Sequence, residues 1–71
     1  MTTFLELPTR AQSLLAESSQ HELRRLEITE TDEIVVIEGR VTTFYLKQMA
    51  QELVKPAADG RRLLNRVAVE H

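Results

Sequence analysis

The side chains that could carry out chemistry are few in this sequence, and their spacing points away from catalysis. His21 has no nucleophile or carboxylate motif beside it, and the acidic run of Glu30, Asp32 and Glu33 lacks the spacing of a calcium loop. The chain contains no cysteine, so neither a disulfide nor a thiolate metal site can form. We therefore predict a protein that is not an enzyme, with no catalytic residue, no metal site and no cofactor.

The size and charge of the chain limit its possible partners. Its 71 residues suit one small domain, since such chains bury only ~60% of the surface that they expose when unfolded. A formal net charge of −2 gives no general attraction to nucleic acid. No run approaches the ~20 apolar residues of a membrane span, and the first residues do not resemble an export signal. These features predict a cytoplasmic protein without a transmembrane segment.

A first helix is predicted over about residues 8–19. Thr9 and Gln12 have the spacing of a capping box at its start, and Ser18 and Ser19 favour its end. The apolar stripe that defines the helix consists of Leu7, Ala11, Leu14 and Leu15.

Two strands follow, over about residues 25–30 and 34–41. Apolar and polar residues alternate in the first, and the second contains Ile34-Val35-Val36-Ile37, the run with the strongest strand propensity in the chain. The short polar segment between them predicts an antiparallel hairpin. Gly39 interrupts the second strand, which indicates a bulge or a close approach of another part of the backbone.

A second helix is predicted over about 43–55 and a last strand over about 62–69. Thr42 or Thr43 can cap the helix, and Pro56 is expected to end it at Lys55. A right-handed crossover makes the last strand parallel to the one before the helix. The chain is thus predicted to be one α+β domain over residues 1–71, a two-layer α/β sandwich of order α-β-β-α-β. Both helices cover one face of a three-stranded mixed sheet. The apolar stripe of the second helix consists of Leu46, Met49, Ala50 and Leu53.

The C-terminal two thirds of the chain resemble the BON domain family of small bacterial binding modules. The matching residues are Ile37-x-Gly39-x-Val41, Thr43 and Leu63-x-Asn65-x-Val67-x-Val69. The family usually has a Gly-Val pair before the last strand, whereas this chain has Asp59-Gly60-Arg61. The resemblance implies a fold without catalytic residues that attaches to phospholipid or to other proteins.

Phe44 is the side chain that most suggests a binding surface. On a helical wheel it lies opposite the apolar stripe, where an aromatic residue is unusual. It either packs back against Val41 or forms an apolar tip for a lipid interface. The leading hypothesis is peripheral attachment to phospholipid or an envelope-associated surface through Phe44 and nearby basic residues. The basic candidates are Arg40, Lys47, Lys55, Arg61 and Arg62.

The sheet face turned away from the helices offers a second hypothesis. Alternation along the strands places several apolar residues there, among mixed charges, which is typical of a protein interface. The domain would then bind a protein partner or form a weak homodimer. Single-stranded nucleic acid is a third and unlikely partner, since the sheet lacks a row of aromatic residues for base stacking. The interface candidates are Ile34, Val36, Leu64, Ala68 and Arg66.

Overall fold

The structure is a computed structural model that describes residues 8–70 of the chain. Within that range it is an α+β domain with three helices and a three-stranded mixed sheet. Leu7, which we assigned to the stripe of the first helix, lies outside the described residues. The elements are α1 (Arg10–Ala16), α2 (His21–Arg24), β1 (Glu27–Glu30), β2 (Ile34–Glu38), β3 (Arg40–Val41), α3 (Phe44–Ala58), β4 (Arg62–Asn65) and β5 (Ala68–Val69).

The predicted first helix corresponds to α1, and a second short helix, α2, occupies the segment between that predicted helix and the first predicted strand. Thr9 and Gln12 form both bonds of the capping box that starts α1, with Gln12 N 3.2 Å from Thr9 Oγ1 and Thr9 N 2.8 Å from Gln12 Oε1. The break between α1 and α2 contains Ser18, whose Oγ accepts a hydrogen bond from the backbone N–H of Gln20. Such a side-chain hydrogen bond competes with the helical hydrogen bonds of the backbone. Helix α1 therefore ends at Ala16, earlier than the expected residue 19. The short α2 that follows brings Leu23 into the core.

Strand β2 is the centre of the main sheet. It pairs with β1 in antiparallel orientation and with β4 in parallel orientation, as a hairpin and a crossover through α3 require. Thr31 organises the hairpin turn, because its Oγ1 accepts from the backbone N–H groups of Glu33 and Ile34. The most apolar strand therefore lies at the centre of the sheet.

The expected strands 34–41 and 62–69 are each interrupted, and β3 and β5 continue the parallel pairing beyond the interruptions. At the first one, Gly39 has a φ of +135°, a conformation that side chains disfavour. A Cβ added to Gly39 would lie 2.6 Å from Cδ2 of the buried Leu26. At the second, the N–H of Val67 donates to Asn65 Oδ1.

Helix α3 begins at Phe44, and Thr43 is its cap, with Oγ1 accepting from the N–H of Leu46 at 3.1 Å. The helix does not end at Lys55: it contains Pro56 and continues to Ala58. A proline in the last turn removes only one helical hydrogen bond. Burial of Ala57 and Ala58 in the core favours the extra turn.

The core lies between the helices and the strands. The predicted stripe of α3 is shifted slightly, because Val54 is wholly buried while Met49 and Leu53 are partly buried at its edge. Asn65 joins β4 to α3, since its Nδ2 donates to the backbone carbonyl of Lys47 at 2.9 Å. The buried apolar cluster comprises Ala11, Leu15, Leu23, Leu26, Val35, Ile37, Val41, Leu46, Ala50, Val54, Ala57, Ala58 and Val67.

We predict that Gly39→Ala lowers the free energy of unfolding by ~2–4 kcal/mol, from backbone strain together with overpacking against Leu26. Gly60→Ala is the matched control, because Gly60 also has a positive φ, of +83°, but has no atom within 4 Å of an added Cβ. The control should lose only ~1–2 kcal/mol. Chemical denaturation measures both losses, and equal values would show that the approach of Leu26 is not what requires glycine.

Candidate functional site

Two adjacent aromatic residues form an exposed tip at the start of α3. Phe44 and Tyr45 are 71% and 69% exposed, so Phe44 does not pack away against Val41. We call this pair the α3 tip. Sequence reasoning missed Tyr45, because it lies four residues before Met49 and so next to the apolar stripe. Exposed aromatic side chains in so small a domain offer a large apolar contact area to a partner.

The segment before the α3 tip is held by α2, an element that sequence reasoning did not anticipate. Both carboxylate oxygens of Glu22 are engaged by Thr42: Oε1 accepts from the Thr42 N–H at 2.9 Å and Oε2 from Thr42 Oγ1 at 2.8 Å. With Thr43 capping the helix, the two residues before Phe44 are both held by hydrogen bonds. The tip is therefore presented on an anchored helix end.

The six residues proposed for surface binding lie in two groups. Arg40 and Lys47 lie close in sequence to the α3 tip, and the Arg40 side chain is 77% exposed. Lys55 is exposed eleven residues beyond Phe44 on the same helix, ~16 Å along the axis. Arg61 and Arg62 follow the other end of α3. Of the six candidates, Phe44 itself and the two cations nearest to it in the sequence, Arg40 and Lys47, form one group, and the other three cations lie toward or beyond the far end of α3.

Arg61 makes a set of internal contacts that we call the Arg61 clamp. Its guanidinium donates to the carbonyl groups of Ala58, Ala57 and Thr31, at 2.9, 3.0 and 3.2 Å, and its Nη2 lies 2.8 Å from Glu30 Oε1. The first two acceptors are carbonyl groups at the end of α3, which lack partners within the helix. Arg61 thereby joins the end of α3 to the β1–β2 hairpin. Its exposed neighbour Arg62 has no comparable role.

An open cleft of about 380 Å³ is lined by Glu22, Arg25 and Arg40. We call it the arginine cleft. Arg25 is the C-cap residue of α2, just before β1, and Arg40 is the first residue of β3, just after the interruption at Gly39. The cleft is the feature that these two cations share. The sequence analysis counted Arg40 but not Arg25 among its binding candidates.

The outer sheet face is continuous but only partly accessible. The register aligns Thr29, Val36 and Leu64 across the three strands. Val36 is only 7% exposed, since it occupies the central strand between two neighbours, whereas Ile34 and Leu64 are half-buried. Ala68 and Arg66 are exposed. No strand within residues 8–70 contains an aromatic residue that could stack on a base.

Comparison of the chain with models of known protein families, with curated proteins and with solved structures finds no significant match. The resemblance to BON domains therefore stays a prediction from the sequence motifs. In the part of the chain that the structure describes, no helix has the length and apolar character to cross a membrane.

We predict that Arg61→Ala destabilises the domain by ~2–4 kcal/mol, because it leaves the largely buried Glu30 carboxylate without its partner. Arg62→Ala removes the same charge one residue later and should change stability by no more than ~0.5 kcal/mol. Adding Glu30→Gln to Arg61→Ala should recover part of the loss. Urea denaturation of the parent, Arg61→Ala, Glu30→Gln and the double variant forms a double-mutant cycle, and additive effects of the two changes would contradict the clamp.

Proposed function

We propose that this domain is a non-catalytic binding module that attaches peripherally to a phospholipid surface through the α3 tip. The observation that supports this proposal is the exposure of Phe44 and Tyr45, side by side, on an anchored helix end. A tyrosine has an apolar ring and a polar hydroxyl, which suits the boundary between headgroups and acyl chains. Phenylalanine beside it adds a purely apolar contact.

The basic residues near the tip support the same proposal. Arg40 is exposed, and Lys47 lies one helical turn after Phe44, so both can approach an anionic surface together with the tip. Each cation near such a surface contributes ~1 kcal/mol, and burial of a phenylalanine contributes ~1.5–3 kcal/mol. These terms imply a reversible attachment that depends on both anionic lipid and the aromatic residues. Arg61 is committed to its clamp, and Lys55 and Arg62 lie away from the contact.

Vesicle co-sedimentation tests the proposal. The parent should pellet increasingly as the anionic lipid fraction rises, and Phe44→Ser with Tyr45→Ser should abolish pelleting. Both residues are exposed, so the double variant should keep its fold, which circular dichroism verifies. Gln48→Ser is a matched control, because it changes an exposed, non-aromatic residue one helical turn after Phe44. A parent that stays in solution at every lipid composition, or a double variant that pellets like the parent, would refute the proposal.

A second candidate is homotypic or protein binding through the outer sheet face. It is favoured by the row of Thr29, Val36 and Leu64, which crosses all three strands without interruption. In this proposal both helices cover the opposite face, which leaves the outer face for a partner. The buried position of Val36 reduces the area that this face can offer, so any self-association should be weak.

Analytical ultracentrifugation decides on this second candidate. We expect Leu64→Lys and Ala68→Lys to shift a concentration-dependent dimer to the monomer, because each places a charge in the contact. Ala16→Lys is the control, since it makes the same change at an exposed alanine of α1. A parent that remains monomeric at high concentration removes the case for a homodimer, and so does equal dimerisation of all three variants.

A further inference from the structure

We propose that the arginine cleft binds the phosphate group of an anionic ligand, with the phosphodiester of a lipid headgroup as its source. This inference rests on the proposed function for the source of the phosphate, but the cleft itself is a separate feature from the α3 tip. Its lining of Glu22, Arg25 and Arg40 and its volume of about 380 Å³ suit a small ligand such as glycerol phosphate.

The charges of the cleft favour an anion. Arg25 and Arg40 line the same cleft, and two like charges placed around one cleft repel each other. Glu22 does not relieve this repulsion by ion pairing: both its oxygens bind Thr42, and neither arginine lies within ion-pair distance of it. An anion between the guanidinium groups would interact favourably with both.

The two guanidinium groups are available to a ligand. Arg25 forms no side-chain hydrogen bond or ion pair with any other residue between 8 and 70. Arg40 has one weak contact, 3.8 Å from Nη1 to Glu70 Oε1, and both side chains of that pair are mostly exposed. An exposed pair at this distance contributes little and can be exchanged for a better acceptor.

Phosphate, which has several acceptor oxygens, suits the two guanidinium groups better than an acceptor with one oxygen does. A guanidinium presents parallel N–H donors that can bind two oxygens of one phosphate, and a phosphodiester has two such oxygens. Glu22 connects the cleft to Thr42, two residues before Phe44, so a headgroup in the cleft would place its acyl chains near the α3 tip. The domain would then recognise the headgroup with arginine and the interface with aromatic side chains.

The phosphate site is tested with glycerol phosphate as a soluble probe, by NMR titration at constant low ionic strength. We expect shifts at Arg25 and Arg40, and a loss of affinity of about tenfold in each of Arg25→Gln and Arg40→Gln. Arg24→Gln is the charge-matched control, because Arg24 neighbours Arg25 but does not line the cleft. Absence of binding to the parent overturns the site, as does binding that the two cleft variants retain in full.

Binding to vesicles tests whether the phosphate belongs to a lipid headgroup. The chain has one tyrosine and no tryptophan, so the fluorescence of Tyr45 reports contact of the tip without a label. Vesicles of phosphatidylglycerol should bind the parent more tightly than phosphatidylcholine vesicles, and both cleft variants should lose that preference.

The two proposals fail in different ways. Glycerol phosphate binding that persists in Phe44→Ser with Tyr45→Ser supports the cleft as an independent site, even if no vesicle binds. Vesicle binding that requires the tip but not the arginines overturns the cleft while the proposed function stands. Tighter binding of a single-stranded oligonucleotide than of phosphatidylglycerol vesicles overturns the assignment to a lipid headgroup.

Discussion

Packing of α3 against the central strand β2 is the interaction on which the other contacts depend. Val35 and Ile37 of β2 and Ala50 and Val54 of α3 are all wholly buried in one core. Because β2 holds β1 on one side and β4 on the other, loss of this packing would remove support from both outer strands. In a chain without cysteine, apolar burial has no covalent cross-link to assist it. Because the free energy of unfolding of a small domain is low, the loss of any such contact removes a large share of it.

Polar contacts fix the two ends of α3, where apolar packing has less to bury. At the start, the Glu22 carboxylate accepts two hydrogen bonds from Thr42, and at the end the Arg61 clamp binds the last carbonyl groups. Each contact joins the helix end to an element distant in sequence, α2 in one case and the β1–β2 hairpin in the other. Such contacts define where a helix begins and ends more sharply than apolar burial does, because hydrogen bonds depend on direction.

The distribution of charge matters more for binding than its sum. The chain as a whole is slightly acidic, with a net charge of −2, yet Arg25 and Arg40 line one cleft and Lys47 follows the α3 tip in the same helix. A local group of cations can attract an anionic surface at distances within the screening length, whatever the total charge. Arg61, by contrast, uses its charge in an internal ion pair with Glu30.

Periodicity along the chain was enough to predict the α+β class, the hairpin and the parallel third strand, because each depends on local alternation and on general rules of chain connection. Capping at Thr9 and the special conformation of Gly39 were also visible locally, since each follows from the chemistry of one or two residues. Tertiary structure alone decided that α3 passes through Pro56, because burial of Ala57 and Ala58 outweighs the tendency of a proline to end a helix at the residue before it. It also decided the roles of the arginines. Arg25 and Arg40 line one cleft and Arg61 turns inward to Glu30, and no spacing in the sequence encodes the proximity of residues so far apart in the chain.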